Sequence, residues 1–100
     1  LIHEDTIFAM ASGAGRAAIA AMRLSGTLCR DALGALCGGR VPEPRRASVR
    51  HLRDAEGAVL DQAMVLWLPG PGTYSGEDSA ELFLHGGRAV TDGVAMALVG

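Results

Sequence analysis

No lysine occurs in this chain. Its nine basic side chains are all arginine, and with 11 acidic residues they leave a net charge of -2. Nucleic-acid-binding modules usually show a clear basic excess, so this balance argues against a strongly nucleic-acid-binding domain. The arginine bias, alongside abundant alanine and glycine, reads as codon composition more readily than as binding chemistry. Only two cysteines are present, Cys29 and Cys37. Eight residues apart on one helix, they would be separated by about 12 Å of rise, too far for a disulfide, and they are expected as small buried apolar groups. No further ligands stand at metal-binding spacing, so no metal site is expected. Apolar runs stay well short of the roughly 20 residues that cross a bilayer. His3, Glu4 and Asp5 occupy the place of a signal peptide's basic and apolar regions, so the chain is expected to be cytoplasmic, without a membrane partner. No glycine-rich loop is followed by the lysine and Ser/Thr of a nucleotide-binding P-loop, so the chain by itself should neither bind nor hydrolyse a nucleoside triphosphate.

What is present fits one small folded domain over residues 1–100: 49% of the residues are hydrophobic and 20% charged. Residues 5–11 read as a strand ended by the Ser-Gly-Ala-Gly turn at 12–15. Ala17 to Leu24 is ambiguous, because its alanines favour helix while its length between two glycine turns suits a strand. A helix over about 27–37, with Ser25 as its N-cap, is predicted from Leu28, Cys29, Ala32, Leu33 and Leu36; Gly38-Gly39 stop it. Strands near 48–53 and 58–68 are joined by Asp54-Ala55-Glu56-Gly57, where Gly57 can take a positive φ. Ala63 to Leu68 is apolar at every position and predicts a strand covered on both sides. Ser79 to Leu84 alternates, setting Ala80, Leu82 and Leu84 opposite Ser79, Glu81, Phe83 and His85. Gly86-Gly87 then lead into a helix with Val90, Val94, Ala97 and Leu98 on one face. The fold class is α+β, a mixed, mainly antiparallel sheet of about five strands with two helices. The stop at Gly100 suggests a fragment of a longer protein.

Glu81 is the first candidate for binding chemistry. A charge in the middle of an apolar strand is costly unless exposed or paired. It is either a carboxylate on a solvated face or a planar pair of acceptors for a guanidine-like ligand edge. Arg23 either snorkels at a sheet edge or offers its fixed fork of donors to an oxygen-rich ligand group or a paired acid. Arg40, Arg45, Arg46, Arg50 and Arg53 form a basic cluster, diluted by Glu43, Asp54 and Glu56, that is either solvated surface or a phosphate-contacting patch. Trp67 and Phe8 are expected in the core, while Tyr74 either lies over a ligand or caps its loop. His85 alone makes no metal site. No catalytic acid pair or Ser-His-Asp arrangement is present.

The motifs Asp5-Thr6-Ile7, Gly13 to Arg16, Arg23-Leu24-Ser25-Gly26, Leu60-Asp61-Gln62, Pro69-Gly70-Pro71, Ser75-Gly76-Glu77-Asp78 and His85-Gly86-Gly87 span nearly the whole chain. In this order and spacing they resemble the N-terminal domain of the tRNA-modification GTPase MnmE (TrmE) family. The resemblance implies a strand at Ala17–Leu24 and a fold like that of tetrahydrofolate-binding domains. It also implies that this domain binds 5-formyltetrahydrofolate or a related reduced folate, with Glu81 on the pterin edge and Arg23 as a second folate contact, and that it pairs as a homodimer. A separate domain of such proteins supplies GTP hydrolysis with its Mg and K ions, and an MnmG (GidA)-type flavoprotein partner joins in modifying the wobble uridine of tRNA. This chain would then bind rather than catalyse. Two alternatives are a purely structural dimerisation module and a fragment of an aminomethyltransferase-like folate enzyme.

Overall fold

The computed structural model describes residues 6–10, as backbone, together with 19–73, 76–85 and 87–99. In chain order the elements are β1 (Thr6–Met10), β2 (Ile19–Gly26), α1 (Cys29–Leu36), β3 (Ser48–Arg53), β4 (Val59–Leu68), β5 (Ser79–His85) and α2 (Arg88–Val99). The five strands form one sheet in the order β1-β2-β5-β4-β3, and every neighbouring pair is antiparallel. One parallel contact, the isolated bridge between Pro44 and Trp67, pins the connection after α1 to the sheet. The expected α+β fold is therefore what the chain forms, and Ile19–Gly26 resolves the helix-or-strand ambiguity as a strand.

Alternation divides the sheet into two faces. Met22 and Leu24 of β2, Leu52 of β3, Ala63, Val65 and Trp67 of β4, and Ala80, Leu82 and Leu84 of β5 are buried in one cluster. Cys29, Ala32, Leu33 and Leu36 of α1 and Val94 and Leu98 of α2 close that cluster from the other side. Fully burying a leucine or valine contributes roughly 1.5–3 kcal/mol, so this interface is the main source of stability. Both helices contact the sheet and each other, on this one face. The opposite face presents Ile19, Arg23, Gln62, Met64, Glu81, Phe83 and His85 to the outside.

Two local expectations change. Ala63 to Leu68 is covered on one side only: Ala63, Val65 and Trp67 are buried, but Met64, which points the other way, is 45% exposed. An unbroken apolar run identified a strand, but did not say whether both its faces are roofed. Ser25 is not an N-cap. It belongs to β2, where its Oγ donates to Glu77 Oε2 at 3.3 Å, and α1 starts later, after Leu28, with no side-chain cap. At the other end of α1, Gly38 and Gly39 take positive φ (77° and 102°), and Gly39 N donates to Gly34 O at 2.7 Å, a left-handed stop that favours glycine.

The β3–β4 hairpin follows its sequence signal. Asp54 Oδ1 accepts from the amides of Glu56 and Ala58 at 3.0 and 2.9 Å, and Gly57 has φ 87°. A short polar side chain bonding to nearby amides fixes such a turn.

Candidate binding site on the open sheet face

β2 and β5 are neighbours, and their register places Arg23 directly opposite Glu81. Both side chains fall on the open face because they are out of phase with buried Met22, Leu24, Ala80 and Leu82. The guanidinium donates twice to one oxygen, from Nη2 at 3.0 Å and Nε at 3.3 Å to Glu81 Oε2. The Glu81 side chain is 25% exposed and that of Arg23 57% exposed. The two residues singled out in the sequence are thus brought together, with the carboxylate neither fully solvated nor buried. A carboxylate has about four lone-pair directions, so the pair leaves Glu81 free to accept further donors, through Oε1 above all.

A loop borders this pair at one end of the strands. Beyond Arg23 and Glu81 the next opposed pair on this face is Ser25 and Ser79, and there the chain enters the Pro/Gly segment. Asp78 Oδ1 accepts from Gly70 N at 2.8 Å, the Asp78 carbonyl accepts from Gly26 N at 3.0 Å, and Thr73 Oγ1 donates to Glu77 O at 2.6 Å. Gly70 lies so close to the returning strand that a Cβ there would sit 2.8 Å from Gly76 O and 3.0 Å from the Glu77 carbonyl carbon. Arg45 ties the loop from outside: its amide donates to Trp67 O at 2.8 Å and its Nη2 to Pro69 O at 2.9 Å.

On the other side of the pair the open face is apolar. Ile19, Val49, Met64 and Phe83, with Gln62 and His85, line a shallow groove of about 460 Å³. Met64 stands opposite both Val49 and Phe83. His85 is held at the far end by Asp61, whose Oδ2 accepts from the His85 amide at 2.7 Å and whose Oδ1 lies 3.5 Å from Nδ1. This face therefore offers a polar, charge-paired end beside a flat apolar floor, a combination suited to a planar ligand with a hydrogen-bonding edge.

Sequence reasoning missed Arg45, Asp61 and Asp78 as organisers. Asp78 had a usable signal, an acid just past a glycine turn, whereas Asp61 and His85 are 24 residues apart and no local pattern links them. The arginine cluster is not one solvated patch. Arg45 holds the loop, Arg53 Nη1 donates to Gly57 O at 3.0 Å, and Arg46 stays in solvent near Glu43 at 3.4 Å. Tyr74, Ser75, Gly86 and the turn at Gly13 to Arg16 lie outside the described residues, as does the side chain of Phe8. Trp67 is in the core as expected.

Both cysteines are free thiols. Burial, helped by the Asp78 charge, pushes the Cys29 thiol from 9.0 up to about 12, and burial also raises Cys37, partly offset by the Arg50 charge. Neither is a poised nucleophile. Among the described residues no three His, Cys, Asp or Glu side chains are grouped to hold a metal ion, and no helix is long and apolar enough to cross a membrane.

Residues 6–100 match the family model described as GTP-binding protein TrmE N-terminus. Among similar curated proteins, the tRNA modification GTPase MnmE of Gluconacetobacter diazotrophicus is 63% identical over 101 residues, covering 97% of this chain and 23% of that protein. The protein of the same name from Methylorubrum populi is 60% identical over 98 residues (97% of this chain, 22% of that protein), and that of Granulibacter bethesdensis is 55% identical over 98 (98% and 22%). The chain thus spans between a fifth and a quarter of the length of the relatives it matches.

Proposed function

The chain belongs to the family of the GTP-binding protein TrmE N-terminus, and from that premise we propose that its open sheet face binds a reduced folate such as 5-formyltetrahydrofolate. The observation that carries this reading is Glu81: a partly exposed carboxylate, oriented by Arg23 through one oxygen, next to an apolar floor. A pterin ring presents adjacent N–H donors along one edge. A carboxylate accepts such a pair in its own plane, a charge-assisted and geometrically selective contact. Arg23 keeps the carboxylate in that orientation and offers its remaining donors to oxygen atoms of the ligand.

Within the longer protein, residues 1–100 act as a folate-binding and dimerisation domain. The relatives are named as tRNA modification GTPases, and by that likeness the whole protein modifies the wobble uridine of tRNA in the cytoplasm. The folate supplies a one-carbon unit, GTP hydrolysis with Mg and K ions belongs to a separate domain, and an MnmG-type flavoprotein is the partner. Homodimerisation is supported by the exposed Ile19, Val49 and Met64 on the open face, since apolar patches of this kind mark interaction surfaces.

Calorimetric titration of the full-length protein with 5-formyltetrahydrofolate tests the ligand. Saturable binding that weakens in Glu81→Gln supports the reading. Absence of binding, with the dimer intact, would leave a purely structural dimerisation module as the better account.

A further inference from the structure

A second polar site lies well away from the folate face, on the edge strand. Glu43, Arg46, Ser48 and Arg50 line a pocket of about 310 Å³ where the connection after α1 enters β3. Between residues 40 and 53 the chain places five arginines against a single acid, Glu43. Two of the five, Arg46 and Arg50, reach this pocket from different segments. Among the described residues each makes one long contact, Arg46 Nη1 to Glu43 Oε2 at 3.4 Å and Arg50 Nη1 to the Arg40 carbonyl at 3.5 Å. A guanidinium has five N–H donors, so most of theirs remain uncommitted. Ser48 borders the same pocket, but its Oγ is shut off from solvent and so from an ion held there.

We propose that Arg46 and Arg50 form a binding site for a phosphate oxyanion, with Glu43 as the internal counter-charge that the anion displaces. Two guanidiniums, one on the connection and one on β3, suit a tetrahedral group with several acceptor oxygens better than a planar carboxylate, which one arginine fork satisfies. The Arg23–Glu81 pair is two strands away across the sheet, so the site is separate from the proposed folate contact. The phosphate is either free, as inorganic phosphate or a monoester, or a phosphodiester of an RNA backbone.

The test uses the full chain, with arginine side-chain Nε–Hε resonances followed by NMR during titration with sodium phosphate and, separately, with a short single-stranded RNA lacking terminal phosphates. Shifts confined to Arg46 and Arg50, lost about tenfold in affinity in Arg46→Gln and Arg50→Gln, are expected. Ser48→Ala should leave binding unchanged, because the closed-off hydroxyl does not reach the ion. Glu43→Gln should strengthen it by up to about fivefold, because an exposed competitor is removed, a gain that no general loss of structure produces. Arg30→Gln, on α1, is the charge-matched control and should change neither titration. If RNA responds to the pocket substitutions, the source is a phosphodiester; if only inorganic phosphate does, it is a free phosphate. Equal weakening by Arg30→Gln, or no strengthening by Glu43→Gln, would overturn the proposal.

Discussion

Arg23 and Glu81 face each other across β2 and β5, and both guanidinium contacts fall on the same carboxylate oxygen, Oε2. The relationship is asymmetric. Exposed pairs of this sort contribute only about 0–1 kcal/mol to stability, so its weight lies in orienting Glu81. Substitutions at either position should therefore leave the fold intact and change binding.

Glu81→Gln keeps the size of the side chain but presents an N–H₂ where an oxygen stood, toward a ligand edge that is itself N–H. The loss of a charge-assisted bond is about 1.5–3 kcal/mol, or roughly ten- to a hundredfold in affinity for 5-formyltetrahydrofolate. Equal affinity of variant and parent would remove Glu81 from the site.

Arg23→Lys separates charge from geometry. An ammonium keeps the positive charge but loses the fork that places two donors on one oxygen. Folate affinity should fall less in Arg23→Lys than in Arg23→Ala, with both variants keeping the parent's melting temperature. If Arg23→Lys bound as well as the parent, the fork would have no role in positioning Glu81.

The Pro/Gly loop depends on Gly70 and Arg45. A Cβ at residue 70 would meet backbone at 2.8 and 3.0 Å, which cannot rotate away, so Gly70→Ala should cost about 1–3 kcal/mol by thermal or urea denaturation. Arg45→Ala removes the bond to the Pro69 carbonyl and should cost about 0.5–1.5 kcal/mol. Arg46→Ala, whose side chain is mostly in solvent, should stay within about 0.5 kcal/mol of the parent. A neutral Gly70→Ala would mean that the loop relaxes away from Gly76 at no cost.

These comparisons show what the sequence could and could not reveal. Alternation separated Ala80, Leu82 and Leu84 from Glu81 and Phe83 correctly, because a strand's period of two is a local property. For Ile19–Gly26 the local signal was ambiguous, and only once it is a strand does Arg23 fall on the face opposite Met22 and Leu24. Which strands are neighbours is a long-range property, and the β1-β2-β5-β4-β3 order that brings Arg23 to Glu81, 58 residues away, has no local signature. The bond from Arg45 to Pro69 was hidden for the same reason. Arginine clusters look alike in sequence whether their members are solvated or bound to a carbonyl.

The cysteines give a pH prediction. Folding raises the Cys29 pKa from 9.0 to about 12, so the folded state binds the proton more tightly than the unfolded state. Stability from this group is fully present below pH 9 and is lost as the pH rises toward 12. Urea denaturation of Cys29→Ala should show a shallower decline over that window than the parent. Thiol-reactive dye at pH 8 should modify Cys37, which is only partly buried, before Cys29. Rapid labelling of Cys29 in folded protein would contradict its burial.

The apolar half of the open face allows a directed test of self-association. Val49, Met64 and Phe83 stand side by side across β3, β4 and β5, with Val49 57% and Met64 45% exposed and no helix among the described residues over them. If a second copy covers this face, Met64→Glu places a carboxylate at the join, and removing that charge from water without a partner costs several kcal/mol. Each 1.4 kcal/mol is tenfold in the dissociation constant, so light scattering should show a dimer for the parent and a monomer for Met64→Glu. Met96→Glu is the matched control, because Met96 is 74% exposed on α2, away from the open face. It should leave the dimer unchanged. A parent that stays monomeric at high concentration would sink the dimer proposal, and a dimer that survives Met64→Glu would move the interface off this face.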